Sequence, residues 1–116
     1  MGNSYAIEYV KKHNKFCENI KALNERLKAL TDKLTVYAPT ISQGFEICLI
    51  FNDYTIDNKI KLAWYCTKKD LVNFVESLER LNISEIDSKI KEISKEFIRR
   101  FNTDSKFRKY SKVHCS

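Results

Sequence analysis

The chain has 116 residues, 43% of them hydrophobic, with seven Phe, six Tyr and one Trp, which excludes a disordered chain and fits one domain with a modest core. Only two glycines and one proline are present, so sharp turns are few and long regular elements are expected. The net charge of +6 divides as +3 over residues 1–43, −2 over 44–98 and +5 over 99–116, which makes the C-terminal end the electropositive one.

The first twenty residues contain no continuous apolar run, and no later stretch could span a bilayer. Gly2 follows Met1, but Ala6 stands where a myristoylation signal wants Ser or Thr. A cytoplasmic protein with reduced thiols at Cys17, Cys48, Cys66 and Cys115 and no membrane partner is expected. The abundance of Lys, Ile and Asn suits an AT-rich genome, such as that of a phage or mobile element.

From Tyr5 to Tyr37, apolar residues recur at Tyr9, Phe16, Ile20, Leu23, Leu27, Leu30, Leu34 and Tyr37, in steps of four and three from Phe16 onward. That is one face of a long helix, with Ser4 as N-cap and Pro39 forcing the stop. In heptad terms the flanking positions are neutral or basic (Lys12, Asn19, Arg26, Lys33 and Val10, Cys17, Asn24, Thr31), which disfavours self-pairing along this helix. It is expected to pack on the rest of its own chain.

After a loop at 39–44 the period changes to two. Phe45, Ile47, Leu49 and Phe51 alternate with Glu46, Cys48, Ile50 and Asn52, and Ile60, Leu62, Trp64 and Cys66 alternate with Lys59, Lys61, Ala63 and Tyr65. These predict a β-hairpin. A two-residue turn at Asp57-Asn58 sets Phe51 opposite Trp64 and Leu49 opposite Cys66, with a longer loop within 52–58 as the alternative. Such a hairpin is marginal alone and needs a cover, from a helix or a second chain, so a homodimer through the hairpin is a candidate.

Thr67-Lys68-Lys69-Asp70 has the form of a capping box opening a helix through Leu71, Phe74, Val75, Leu78 and Leu81, with a stop at Asn82. Ser84-Glu85-Ile86-Asp87 repeats that form before Ile86, Ile90, Ile93, Phe97 and Phe101. The fold class is α+β, predominantly helical: a long N-terminal helix, a β-hairpin, then two shorter helices packing back on the first. A stacked three-helix arrangement is the alternative. Residues 1–102 are read as a single domain and 103–116 as a basic, flexible tail.

Chemistry is sparse. His13 and Cys17 have the one-turn spacing of a metal-ligand pair, but no further ligand pair accompanies them, so His13 is read as a polar residue of the helix seam. Cys48 and Cys66 fall on opposite faces of the hairpin, which argues against a bridge. The pairs Glu76/Glu79 and Glu92/Glu96 are interleaved with Lys and Arg, as on a solvated helix face. Gly2 and Gly44 cannot build a phosphate loop. No catalytic residue, metal ligand or cofactor is assigned.

Basic and aromatic residues interleave at Arg99, Arg100, Lys106, Phe107, Arg108, Lys109, Tyr110 and Lys112, a set able to contact a protein partner or nucleic acid. The expected function is that of a small non-catalytic interaction protein, a regulator, adaptor or inhibitor that binds and occludes a protein partner. Nucleic-acid binding by the basic segment is the alternative.

Overall fold

The computed structural model describes residues 2–104. Its elements are α1 (Gly2–Leu30), β1 (Leu34–Tyr37), a single 3-10 turn at Ile41–Gln43, β2 (Ile47–Ile56), β3 (Ile60–Cys66), α2 (Lys68–Glu79) and α3 (Ile83–Thr103). The three strands form an antiparallel meander in the order β1-β2-β3. This is the α+β, mostly helical plan that the periodicities predict, with a third strand added to the hairpin. Of the tail expected at 103–116, Thr103 is the last residue of α3 and Asp104 its C-cap, and residues 105–116 lie outside the described residues.

The third strand comes from the end of the predicted long helix. α1 begins at Gly2, so Ser4 lies within it rather than capping it, and it stops at Leu30 instead of Tyr37. Leu34 and Tyr37 continue the helical spacing, but Leu34-Thr35-Val36-Tyr37 also alternates. The strand reading wins because Leu34 and Val36 are then both buried, whereas a helix would bury only one of them. Side chains hold the change of direction. Thr31 Oγ1 accepts the Lys33 N–H, and the Asn52 amide donates to the Asp32 carbonyl and Thr35 Oγ1, both at 2.9 Å. On the outer side of β1, Asn24 Oδ1 of α1 accepts the Val36 N–H at 3.1 Å.

The hairpin turns at the expected residues. Asp57 and Asn58 both take positive φ (55° and 59°), and the Lys59 N–H returns to the Ile56 carbonyl. The pairing differs from expectation: Phe51 faces Leu62 and Leu49 faces Trp64, because Asn52, Asp53 and Tyr54 bulge out between the Phe51↔Leu62 and Thr55↔Lys61 pairs. Between Ile47–Phe51 and Leu62–Cys66 the slip is by two residues, so those side chains keep their predicted faces. Cys66 is buried on the inner face and Cys48 half-buried on the outer one, as expected.

Leu34, Val36, Ile47, Leu49, Phe51, Leu62 and Cys66 of the sheet share one core with Ile20, Leu23 and Leu27 of α1, Leu71, Val75 and Leu78 of α2, and Ile86, Ile90 and Phe101 of α3. Each fully buried Leu, Ile or Phe contributes about 1.5–3 kcal/mol. Phe97 meets Phe51 edge-on at 5.7 Å and packs tilted against Trp64 at 5.6 Å, fixing α3 across β2 and β3. α2 runs beside α1, where the Arg26 guanidinium forks onto the Glu79 carboxylate.

Both later helices open on boxes. Thr67 Oγ1 accepts the Asp70 N–H while Asp70 accepts the Thr67 N–H and hydroxyl. The second box sits two residues earlier than predicted: Glu85 accepts the N–H of Asn82, and α2 ends at Glu79.

Candidate functional site

The helices pack on the face that carries Leu49 and Phe51; the opposite face of the sheet carries Thr35, Tyr37, Cys48, Ile50, Ala63 and Tyr65, of which Ala63 is buried. Tyr37 is 56% exposed there. Its two edges differ. β1 is shielded by the Asn24 bond to Val36, whereas β3 is paired on one side only among the described residues.

Where β2 begins and β3 ends, two adjoining cavities open. One, of about 560 Å³, is lined by Phe45, Glu46, Tyr65, Cys66, Thr67 and Asp70, with Gln43 at its rim. The other, of about 420 Å³, lies between Tyr37, Pro39, Cys48 and Tyr65 and shares Gln43 and Glu46 with the first. Together they form a cleft with two carboxylates and three aromatic rings, and among the described residues no lysine or arginine lines it.

The groups in the cleft influence one another. Cys48 and Tyr65 are directly paired across β2 and β3. Burial pushes the Cys48 thiol up, the Tyr65 hydroxyl partly offsets this by donating to its sulfur, and the nearby Glu46 charge adds to the rise. Tyr65 is raised by burial and by Cys48 and Glu46. Cys66, facing the core, is pushed up to about 12, chiefly by burial and then by the Asp70 charge. These thiols are protonated at neutral pH and behave as hydrophobes, not nucleophiles. The cleft concentrates negative potential beside π faces, which is the chemistry that holds a cation.

The residues singled out from the sequence fare differently. Arg99 and Arg100 lie on the exposed side of the last turns of α3, and Arg99 forks onto Glu96 one turn earlier. Lys106, Phe107, Arg108, Lys109, Tyr110 and Lys112 lie outside the described residues. Phe101 belongs to the core, as its period predicted. The Arg99 and Arg26 guanidiniums hold the Glu96 and Glu79 carboxyls below the usual carboxylate range through hydrogen bonds, so these pairs are structural ion pairs. Among the described residues no group of three or more His, Cys, Asp or Glu is placed to hold a metal ion, and no helix is long and apolar enough to cross a membrane.

Sequence reasoning missed the cleft. The alternation already placed Glu46, Cys48 and Tyr65 on the face away from the core, but nothing local showed that Tyr37 would join them from a strand. No protein-family model, no curated protein and no solved structure matches the chain.

Proposed function

We propose that this protein is a non-catalytic interaction protein that holds and occludes a protein partner. An extended segment of the partner adds to the outer edge of β3 and seats a lysine or arginine side chain in the cleft at Glu46 and Tyr65. The observation that carries the reading is the lining of that cleft: Glu46, Asp70, Tyr37, Phe45 and Tyr65 converge with no basic group beside them among the described residues, at the end of β3, which among those residues is paired only with β2. Strand addition supplies main-chain hydrogen bonds, and the pocket for an alternate side chain supplies selectivity. A cation over an exposed ring contributes about 0.5–1 kcal/mol, and a charge-assisted bond to Glu46 adds to it. A second copy of the chain has the required chemistry, since β3 itself carries Lys61 and follows Lys59.

The test is an amide NMR titration of the full chain with two six-residue peptides, one alternating threonine with lysine and the other threonine with glutamate. The lysine peptide is expected to shift residues 43–48 and 60–67, the glutamate peptide is not, and Glu46→Lys removes the response. Shifts absent from these segments, or insensitive to Glu46→Lys, refute the reading. A short single-stranded DNA whose binding depends on Arg99, Arg100 and residues 103–116 would instead favour the nucleic-acid role.

A further inference from the structure

A second constellation lies where α1 meets the connection between β1 and β2. The ring of His13 is only 3% exposed. It sits among Tyr9, Phe16 and Phe45, with ring centroids 6.2, 6.3 and 5.5 Å away. Its Nε2 lies 2.8 Å from the Gly44 carbonyl oxygen. A carbonyl can only accept, so Nε2 carries the proton, and in the neutral ring Nδ1 is left with a lone pair. One helical turn on, Cys17 Sγ is 3.6 Å from that Nδ1. The Pro39 carbonyl, 3.7 Å from the same sulfur, is the alternative acceptor for the single thiol proton.

This is the arrangement of an activated nucleophile: a thiol, a base within reach of its proton, and a third group that fixes the tautomer and plane of the base. The third group is main chain, and it is held in place. Gly44 has φ 80° and ψ −128°, a conformation that glycine tolerates, and the Tyr9 hydroxyl ties the same connection to α1 through the Ile41 carbonyl at 3.2 Å. Cys17 itself is half-buried, not sealed in the core as Cys66 is. Among the described residues no imidazole interacts with Cys48 or Cys66, and burial raises both.

We propose that Cys17 is a modification site, a base-assisted thiol that exchanges with low-molecular-weight disulfides. The thiol proton passes to His13 Nδ1 as the sulfur attacks one sulfur of the incoming disulfide. The new bond joins Cys17 to that half, the old sulfur–sulfur bond breaks, and the other half leaves as a thiolate that takes the proton back from the imidazolium. The incoming disulfide is itself the oxidant: Cys17 is oxidised to the mixed disulfide as the departing half is reduced to a thiol, and no further oxidant or reductant is needed.

The experiment treats the full chain with oxidised glutathione, quenches with acid at intervals and quantifies each cysteine by peptide mass. Cys17 is expected to react at least about tenfold faster than Cys48, and His13→Gln, which keeps a donor for the Gly44 carbonyl but supplies no base, is expected to slow Cys17 about tenfold without changing Cys48. Equal rates at Cys17 and Cys48, or a Cys17 rate untouched by His13→Gln, overturn the proposal. Unfolding of the variant would show as a newly reactive Cys66. Histidine nitrogen NMR of the unsubstituted chain then decides together with its own Cys17-to-Cys48 rate ratio. A neutral His13 protonated at Nε2 sustains the proposal, and one protonated at Nδ1 overturns it.

Discussion

Asn24 carries more of the architecture than its place on a helix suggests, and replacing it by Ala tests how the β1 edge is closed. Its Oδ1 is the acceptor for the Val36 N–H, which points away from β2, and Val36 is only 6% exposed. Losing the bond removes about 1 kcal/mol, and leaving a part-buried N–H without a partner costs about another 1 kcal/mol, at the low end because water can approach the edge. Ala is the better helix former by about 0.6 kcal/mol, which offsets part of the loss. The net expectation for Asn24→Ala is a destabilisation of about 1–1.5 kcal/mol, or about 4–8 °C in Tm for a chain of this size. Urea denaturation gives the energy, and hydrogen exchange gives the location. The Val36 amide should lose protection selectively, while Leu49 and Leu62 change only as global stability does. Asn24→Asp keeps an acceptor and is expected to keep the Val36 amide protected, although its charge sits poorly in the C-terminal half of α1. Unchanged Val36 protection in Asn24→Ala would refute the edge-closing role.

Leu27→Ala, at a fully buried position shared by helix and sheet, is expected to cost about 2–5 kcal/mol by denaturant unfolding, and a loss below about 1 kcal/mol would show that the helix is not seated as described. Gly44→Ala meets open space, since nothing lies within 4 Å of the added Cβ, so its cost is that of a φ of +80° alone, about 1–3 kcal/mol, measured in the same way. Cys66 predicts an alkaline limb. Its folded-state pKa, about 12, lies above its unfolded value, so its contribution is complete below pH ~8.5 and is lost as pH rises toward 12, at no more than about 1.4 kcal/mol per pH unit. Cys66→Ala should flatten that part of the stability–pH curve, and an identical slope in both proteins would contradict the burial of the thiol.

How much of this was legible in the sequence depended on whether the deciding interaction was local. The box at Thr67–Asp70 is a contact between residues three apart, and it forms where it was read. The faces of Ile47–Phe51 and Leu62–Cys66 followed from parity, and they held because beyond the bulge at Asn52–Tyr54 the pairing lies two residues from the expected register. The boundary at Leu30 was not legible, because Leu34 satisfies a helical period and a strand period equally. What separates them is Asn52, about twenty residues away in sequence, donating to Asp32 and Thr35. His13 was assigned to the seam correctly but its partner was not, since Gly44 reaches it only after β1 has folded back. The cleft was hidden for the same reason: its walls come from the end of β1, the following connection, the start of β2 and the start of α2.

The two strand edges bear on the identity of the partner. With β1 closed by Asn24, a second copy could extend the sheet only through β3. Antiparallel pairing of two β3 strands about a two-fold axis at Ala63 sets Lys61 opposite Tyr65 of the second copy and Lys59 opposite its Thr67. Lys61 and Tyr65 share the outer face, so each lysine would approach the other copy's Glu46, and each Lys59 the other copy's Asp70. The charges along β3 are thus arranged to complement themselves when reversed, basic at the hairpin end and acidic at the cleft end. Light scattering across the micromolar range is expected to give the mass of two chains, falling to one chain for Lys61→Glu and for Glu46→Lys, and returning toward two when both substitutions are combined. A mass of one chain at every concentration would remove the second copy as the occupant and leave the cleft to a basic segment of another protein. Recovery in the double variant would separate a specific Lys61–Glu46 contact from a general effect of net charge, because the combined substitutions leave the charge of the chain unchanged.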